Sequence, residues 1–282
     1  MMMSKVSPAL AAGCTIIVKT SEKTPVSALE ACKLFQEAGF PKGVLNVLSG
    51  YGSSTGSALA LHMDVDMIAF TGSTSVGHNI MSYCAQSNLK RFSLELGGKS
   101  PIIVFNDANL DQAVKVTNDG VFLHQGQICT PGSRIFVQSE IHDRFLEEIL
   151  EMTKSKIIGS PLERSTEQGP LVDSIQFQKV LDYINYGISQ GATLLCGGKR
   201  FGDIGFFVEP TIFINVTDDM KIAQEEIFGP VLSIMKFDSI EEVIQRANST
   251  AYGLAAIICT RDPGVTLRVA SEIKGGTMWV NW

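Results

Sequence analysis

A cysteine on a glycine-containing loop and a glutamate at the end of an apolar run are the residues of this sequence best suited to chemistry. Cys129 ends the segment FLHQGQIC at residues 122–129, and Glu95 lies within FSLELGGKSP at 92–101. A cysteine is a strong nucleophile, and a thioester formed on it needs a base that deprotonates water. The two residues therefore predict acyl chemistry with turnover, with Glu95 as a buried base.

Both residues also allow a purely structural interpretation. A single cysteine is usually a small buried apolar residue, but Gln125 and Gln127 make the surroundings of Cys129 polar. Glu95 stands between two leucines, so it is paired, or it has a raised pKa suited to a base, or it is an outward-facing edge residue. His124 lies near the thiol without an obvious acidic partner, which gives a cysteine–histidine dyad little support.

A strand that runs into glycine and serine marks a candidate phosphate site. Residues 70–77 read FTGSTSVG, and Gly72 and Ser73 stand directly before a predicted helix. The N–H groups and the dipole at a helix start favour a pyrophosphate or another anion. The segment is neither the G-x-G-x-x-G fingerprint nor a Walker loop. A helix start that is merely capped is therefore an equal alternative.

Two further pairs of residues are candidates for contacts with a nucleotide. Lys19 and Glu22 lie at the end of the first predicted strand, where a carboxylate that holds a ribose would disfavour a 2′-phosphate. Two solvated charges after a strand are the competing interpretation. Glu226 and Phe228 lie in EEIFGP at 225–230, where the acid could equally cap a turn and the ring could be core. Spacing alone does not decide between these interpretations.

Composition limits the class of protein. The 282 residues are 45% hydrophobic with a net charge of −6, and the basic residues form no stripe. This length allows two domains, and the charge pattern argues against nucleic-acid binding. The six cysteines include no C-x-x-C pair, which disfavours zinc and redox-dithiol sites. No apolar run reaches the roughly 20 residues of a membrane span. We therefore expect a globular protein in a reducing compartment that acts on small molecules, without a metal.

Strand and helix patterns alternate along the chain. The first unit is a strand at 15–19 and a helix at 24–39 that has a threonine cap and a terminating glycine. Further strands are predicted at 44–48, 67–71, 92–96, 102–105, 134–137, 231–237 and 254–259, and further helices at 54–62, 75–85, 110–122, 142–156, 172–190 and 240–248. This alternation predicts parallel sheets covered by helices, with ligands at the carboxyl ends of the strands. The predicted boundary lies at Gly97 and Gly98, where two glycines allow the chain to turn.

Six motifs in order resemble the NAD-dependent aldehyde dehydrogenase superfamily, with details closest to its class 1 and class 2 enzymes, the cytosolic, retinal and mitochondrial types. The motifs are FTGST at 70–74, LELGGKSP at 94–101, QGQIC at 125–129, GFFVEPT at 205–211, EEIFGP at 225–230 and GTMWVN at 276–281. The resemblance covers the whole chain. It implies an α/β fold of two doubly wound parallel-sheet domains, both incomplete, with a Rossmann-like NAD-binding domain in 1–97 and a catalytic domain in 98–282.

The resemblance also implies an activity, the oxidation of an aldehyde to a carboxylic acid with NAD. Cys129 matches the nucleophile that passes through a thiohemiacetal to a thioester, and Glu95 matches the base that activates water for hydrolysis. Glu95 argues against a relative that transfers the acyl group to coenzyme A. The matching cofactor contacts are Lys19 and Glu22 for the adenosine ribose, Gly72 and Ser73 for the pyrophosphate, and Glu226 and Phe228 for the nicotinamide ribose.

By the same resemblance, the chain corresponds to the middle of a family member. Relatives carry a Trp-Asn-Phe-Pro segment upstream, whose asparagine stabilises the oxyanion, and loss of such a donor typically costs on the order of 10²–10³ in rate. Two hypotheses follow: an aldehyde-oxidising enzyme, or a catalytically silent fragment that at most binds or interacts. Full-length relatives are dimers or tetramers. The cytoplasm is the expected compartment and mitochondria stay open, while the sequence does not identify the aldehyde.

Overall fold

The computed structural model describes residues 1–282, which form two compact units, Met1–Leu96 and Gly97–Trp282. We call them unit 1 and unit 2. Both combine parallel strands with helices, as the sequence predicts. The division between the units falls one residue before the predicted boundary. The assignment of a cofactor role to the first unit and a catalytic role to the second stays a prediction.

Unit 1 contains four helices and four strands that mostly alternate. Their order is α1 (Met2–Ala11), β1 (Ile16–Lys19), α2 (Val26–Glu37), β2 (Leu45–Leu48), α3 (Ser57–Leu61), β3 (Met67–Thr71), α4 (Thr74–Gln86) and β4 (Arg91–Glu95), and one π-helical turn (Gly52–Gly56) precedes α3. β1 pairs with β2 and β3 pairs with β4, in both cases in parallel. The unit thus contains two separate two-stranded sheets.

The ends of two helices in unit 1 agree only in part with the predicted caps. Gly39 follows the end of α2 with a φ of +82°, as a terminating glycine should. The predicted threonine cap of α2 is wrong, because Pro25 occupies the cap position without any side-chain hydrogen bond. Ser73 does cap α4, since its Oγ accepts a hydrogen bond from the N–H of Val76 at 3.4 Å.

Unit 2 contains seven strands and six helices. Their order is β5 (Pro101–Val104), α5 (Leu110–Phe122), β6 (Arg134–Gln138), α6 (His142–Lys154), α7 (Ser174–Ser189), β7 (Thr193–Cys196), β8 (Thr211–Ile214), α8 (Lys221–Gln224), β9 (Val231–Phe237), α9 (Ile240–Ala247), β10 (Ala255–Cys259), α10 (Pro263–Glu272) and β11 (Thr277–Val280). The strands form one sheet in the spatial order β11-β10-β5-β6-β9-β8-β7.

One edge of this sheet differs from the predicted all-parallel arrangement. Five neighbouring pairs are parallel, whereas β7 and β8 are antiparallel. A parallel return needs a crossover element, usually a helix, and no helix lies between β7 and β8. The sheet is therefore mixed. The sequence prediction also missed β7, β8, β11, α8 and α10, and four of these five elements have only four residues.

The central strands of unit 2 are buried on both faces. On β5, Ile102 packs into one apolar cluster with Phe145, while the neighbouring Ile103 packs into a second cluster with Phe136 and Ile184. Successive strand residues point to opposite faces, so a parallel strand covered by helices on both sides is apolar throughout. This packing supplies a rigid base for the loops at the ends of the strands.

None of the ten helices combines the length and the apolar character that crossing a bilayer would require. The structure also holds no cluster of three or more histidine, cysteine, aspartate or glutamate side chains arranged to bind a metal ion.

Candidate active site

The loop that carries Cys129 begins with a left-handed turn. α5 ends at Phe122, and the next turn places His124, Gln125 and Gly126 in succession at φ values of +49°, +60° and +69°. Only glycine adopts this conformation without cost. The turn leads the chain away from α5, and Cys129 then lies half-buried in the loop before β6. The thiol therefore lies in a polar loop, as the sequence predicts.

The left-handed turn packs directly against the segment at residues 225–230. A Cβ at Gly126 would lie 2.1 Å from the carbonyl oxygen of Gly229, a distance that no side chain can occupy. Gly126 is therefore required both for its backbone conformation and for this close contact. The packing brings the Cys129 loop and the Glu226 segment together within unit 2.

Two glycines fill the space between Cys129 and Glu226. The N–H of Gly98 donates a hydrogen bond to Oε1 of Glu226 at 3.1 Å, and a Cβ at Gly98 would lie 2.3 Å from the carbonyl oxygen of Cys129. A Cβ at Gly97 would lie 2.4 Å from the other oxygen of Glu226. Neither glycine has a positive φ. Their predicted role as a flexible turn is therefore replaced by a need for close approach.

Glu226 is a half-buried carboxylate whose pKa depends on its burial and on three neighbouring groups. Burial raises the pKa of Glu226, whereas the N–H of Gly98 and the ammonium groups of Lys179 and Lys99 act in the opposite direction. A small cavity of about 10 Å³ lies beside this carboxylate and beside Gly98, Gly126 and Phe228. It is on the order of the space that one water molecule needs.

Lys99 is a buried amine that the sequence motifs did not mark as a functional residue. Its side chain is 1% exposed, and its Nζ makes no hydrogen bond. Burial lowers the pKa of Lys99 to about 7, with a further lowering by Arg134, while Glu226 raises it. The carbonyl of Lys99 accepts a hydrogen bond from Nε of Arg134 at 3.1 Å. The sequence signal for this residue was its position, directly after two glycines and just before a buried strand.

A second group of residues missed in the sequence surrounds an open groove of about 650 Å³ along α7. The hydroxyl of Tyr183 donates a hydrogen bond to Oε2 of Glu225 at 2.5 Å, and the ammonium group of Lys221 lies 4.2 Å from the ring centroid of Tyr186. Burial and the bond to Glu225 both raise the pKa of Tyr183. The groove therefore adjoins the Glu226 segment, but the ring of Tyr186 is already covered by the ammonium group of Lys221.

Glu95 lies at the carboxyl end of β4 in unit 1, and its side chain is exposed. The prediction that this carboxylate is buried is therefore wrong. Side chains alternate along the strand, so Leu94 packs towards Ile80 and Cys84 while Glu95 faces the other way. The outward-facing alternative is the correct description. An exposed carboxylate can still meet a water molecule.

The candidate phosphate site lies at the neighbouring strand end. β3 pairs with β4 so that Thr71 stands opposite Glu95, and the N–H of Gly72 donates a hydrogen bond to the carbonyl of Glu95 at 3.1 Å. Gly72 and Ser73 are exposed at the start of the 13-residue helix α4. A Cβ at Gly77 would lie 2.7 Å from the Leu96 side chain, so this glycine lets α4 approach the chain at the end of β4. Within unit 1 the helix start and Glu95 therefore lie together.

Lys19 and Glu22 meet at the end of β1. Nζ of Lys19 lies 3.5 Å from Oε2 of Glu22, and both residues retain access to solvent. A hydrogen bond from its own backbone lowers the pKa of the Glu22 carboxyl, burial opposes this lowering, and Lys19 lowers the pKa further. The pair is thus formed in the structure, which leaves both the ribose-binding and the solvated-charge interpretations available.

Comparisons with known proteins agree with these motifs. The model described as "Aldehyde dehydrogenase family" matches residues 1–282. The chain is 54% identical over 277 residues to rat "Aldehyde dehydrogenase, cytosolic 1", covering 98% of this chain and 55% of the relative. It is 53% identical over 277 residues to mouse "Retinal dehydrogenase 2", covering 98% and 54% of the two chains.

A solved structure shares the fold of the whole chain. An indole-3-acetaldehyde dehydrogenase from P. syringae, a mutant in complex with NAD⁺ and IAA, superposes with a TM-score of 0.98 at 48% sequence identity. That match covers 100% of this chain and 57% of the neighbour. The chain therefore spans little more than half the length of the relatives that it matches.

Proposed function

This chain belongs to the aldehyde dehydrogenase family, and we propose that it oxidises an aldehyde to a carboxylic acid with NAD, using Cys129 as nucleophile and Glu95 as hydrolytic base. The observation that carries the proposal is the contact of the Cys129 loop with the Glu226 segment through Gly98 and Gly126. It supplies a reactive residue next to a half-buried carboxylate.

Cys129 acts first, as a thiolate. Its sulfur adds to the carbonyl carbon of the aldehyde, and the carbonyl oxygen becomes the alkoxide of a thiohemiacetal. Bound NAD would supply the hydride acceptor for this carbon, and loss of the hydride would leave a thioester on Cys129. A half-buried position suits this role, because the thiol is accessible to a small aldehyde while the loop restricts its orientation.

Glu95 acts in the second half of the reaction. Its carboxylate takes a proton from a water molecule, and the oxygen of that water adds to the thioester carbonyl. Collapse of the tetrahedral adduct releases the carboxylic acid and returns Cys129 as a thiolate. The exposed position of Glu95 at a strand end supports this role, since a base for hydrolysis must reach solvent.

Three sets of residues are the proposed contacts to the cofactor. Gly72 and Ser73 are exposed directly before the start of α4, and a helix start suits a pyrophosphate. Glu22 offers a carboxylate for ribose hydroxyls and would repel a 2′-phosphate, which favours NAD over NADP. Glu226 and Phe228 are the proposed contacts to the nicotinamide ribose, and the raised pKa of Glu226 reflects the partly dry environment in which it would meet a hydroxyl.

The test is NADH formation by the purified 282-residue chain with NAD and acetaldehyde. We expect turnover in the wild type, its loss in Cys129→Ser, and its retention in Cys14→Ser, which replaces an exposed cysteine. Equal activity of both variants would refute the role of Cys129. A folded wild-type chain that forms no NADH would favour the alternative of a catalytically silent fragment that at most binds or interacts.

The oligomeric state and the cellular compartment of the protein are also proposals. We propose a dimer or tetramer for the full-length protein, which sedimentation of that protein would test. The rat relative carries "cytosolic" in its name, and we propose the cytoplasm for this protein, with mitochondria as the alternative. Immunofluorescence with a mitochondrial marker distinguishes the two compartments.

A further inference from the structure

We propose that Gln176 is a positioning residue that holds the backbone at Ile227 and Phe228 and thereby places Glu226 and Phe228 for cofactor binding. This inference rests on the proposed function, because it assigns Gln176 an effect on the cofactor. The claim that the Gln176 amide holds the Glu226 segment in place does not depend on any activity.

The side chain of Gln176 bridges two consecutive carbonyl groups. Its Nε2 donates hydrogen bonds to the carbonyl oxygens of Ile227 at 3.0 Å and Phe228 at 2.8 Å. A glutamine amide has two N–H groups, so both of its donors are used here. Gln176 itself is fixed in the first turn of α7, where its backbone N–H donates to Oδ1 of Asp173 at 2.8 Å.

The held backbone has an unfavourable conformation. Phe228 has a φ of +58°, in the left-handed region that non-glycine residues rarely adopt. Residues of this kind persist only where the surrounding structure holds them, and they are common at ligand sites. The two hydrogen bonds from Gln176 act on the carbonyls on either side of the Phe228 α-carbon. They are therefore placed to hold this residue in its left-handed state.

The segment is confined on its other sides by close packing. A Cβ at Gly229 would lie 2.3 Å from the side chain of Val180, which belongs to α7 like Gln176. On another side, Gly126 contacts the carbonyl of Gly229. The segment thus lies between α7 and the Cys129 loop. A shift of Phe228 would be transmitted to Glu226, and through Glu226 to its hydrogen bond with Gly98.

The same helix offers a matched control. Gln178 is exposed, and its Nε2 donates to Oδ1 of Asp182 at 2.8 Å, one turn further along α7. It makes no hydrogen bond to the 225–230 segment. Replacement of Gln178 by methionine therefore changes the same residue type on the same helix without altering the carbonyls of Ile227 and Phe228.

The first experiment compares Gln176→Met with Gln178→Met in steady-state kinetics. Methionine keeps the length of the side chain but cannot donate, so two carbonyls lose their partner. We expect KM for NAD to rise about tenfold in Gln176→Met, with KM for the aldehyde within about twofold of wild type. Gln178→Met should match the wild type. Equal increases in both KM values, or none, would overturn the proposal.

The second experiment needs no activity. The amide hydrogen of Gly98 is bonded to Glu226, so its exchange rate with solvent reports the position of that carboxylate. We expect this exchange to be about tenfold faster in Gln176→Met and unchanged in Gln178→Met, with similar unfolding midpoints. Unchanged exchange would refute the positioning role. If Gln176→Met does not fold, Gln176→Glu, which keeps the shape but loses the donor, gives the same comparison.

The two experiments separate the inference from the proposed function. A wild type without NADH formation would count against aldehyde oxidation, and the exchange of the Gly98 amide would still decide the role of Gln176. Conversely, the wild type could turn over normally while Gln176→Met shows unchanged kinetics and unchanged exchange. This result would support aldehyde oxidation and refute the positioning role of Gln176.

Discussion

Gly98 donates its backbone N–H to Oε1 of Glu226 at 3.1 Å, and this bond joins residues that lie far apart in the chain. The same glycine lies against the carbonyl of Cys129. One residue without a side chain therefore sets the distance between the proposed nucleophile loop and the proposed cofactor carboxylate.

The first prediction concerns Gly98→Ala. The added Cβ would lie 2.3 Å from the carbonyl oxygen of Cys129, so the backbone of the nucleophile loop must move. Such overpacking typically costs about 1–3 kcal/mol. We expect the free energy of unfolding to fall by this amount and the alkylation rate of Cys129 by iodoacetamide to change at least severalfold.

Gly52→Ala is the control for this substitution. Gly52 is exposed, its φ is not positive, and no atom lies within 4 Å of its added Cβ. Urea unfolding and mass spectrometry of the Cys129 peptide provide the two measurements. An unfolding curve and an alkylation rate of Gly98→Ala that both match Gly52→Ala would contradict the close packing described above.

A second prediction separates the two halves of the proposed reaction. Glu95→Gln removes the base for hydrolysis while Cys129 remains, so the thioester should form and then accumulate. We expect a burst of NADH close to one per chain, followed by turnover reduced by on the order of 10²-fold or more. Because Glu95 is exposed, its replacement should change the free energy of unfolding by no more than about 0.5 kcal/mol.

The control for Glu95 is Glu30→Gln, which replaces another exposed glutamate on α2 that pairs with Lys33. Mass spectrometry of the quenched reaction should show the acyl group on Cys129 in Glu95→Gln only. Normal steady-state turnover in Glu95→Gln would remove the assigned role of this carboxylate.

The third prediction concerns the buried amine of Lys99. Burial lowers its pKa from the ordinary value of 10.5 to about 7. Between these values the unfolded chain holds a proton on Lys99 that the folded chain lacks, so stability rises with pH in this window. Below about pH 7 both states are protonated, and this contribution no longer depends on pH. The folded state then carries a charged, unpaired amine.

Lys99→Met should therefore be more stable than the wild type near pH 7, and the difference should shrink as the pH rises. Linkage predicts a decrease of roughly 2–3 kcal/mol between about pH 7 and about pH 9. Urea unfolding at several pH values measures it. Lys115→Met, which replaces an exposed lysine of α5, should show no such trend. The same pH slope in wild type and Lys99→Met would show that Lys99 keeps its proton.

Local sequence signals predicted much of the secondary structure. The helix at residues 110–122 and the strand at 231–237 have the predicted bounds. Each is long enough to show a clear pattern. The structure adds that Asn109 caps the start of α5. The four-residue elements at Thr193–Cys196 and Thr277–Val280 were missed, because so short a strand has too few residues to show a period.

The candidate site was predicted less completely, for a different reason. Cys129 was identified by the polarity of its loop and Ser73 by its position before a helix, and both signals are local. Gln176 gave no signal, because a glutamine in the first turn of a helix is ordinary until its distance to the carbonyls of Ile227 and Phe228 is known. The burial of Glu95 was predicted wrongly, since two flanking leucines do not show which face of a strand is covered.

The sequence by itself determined the order of strands and helices, the family motifs and the types of residue available for chemistry, because these depend on side chains a few positions apart. Only the tertiary structure decided which of these residues meet. Gly98 contacts Cys129 and Glu226, and Gln176 bonds to Phe228, although these residues are distant in the chain. The burial of the Lys99 amine without a hydrogen-bond partner likewise depends on how distant segments pack around it. Such contacts depend on how the sheet and its helices pack, and local patterns do not contain that information.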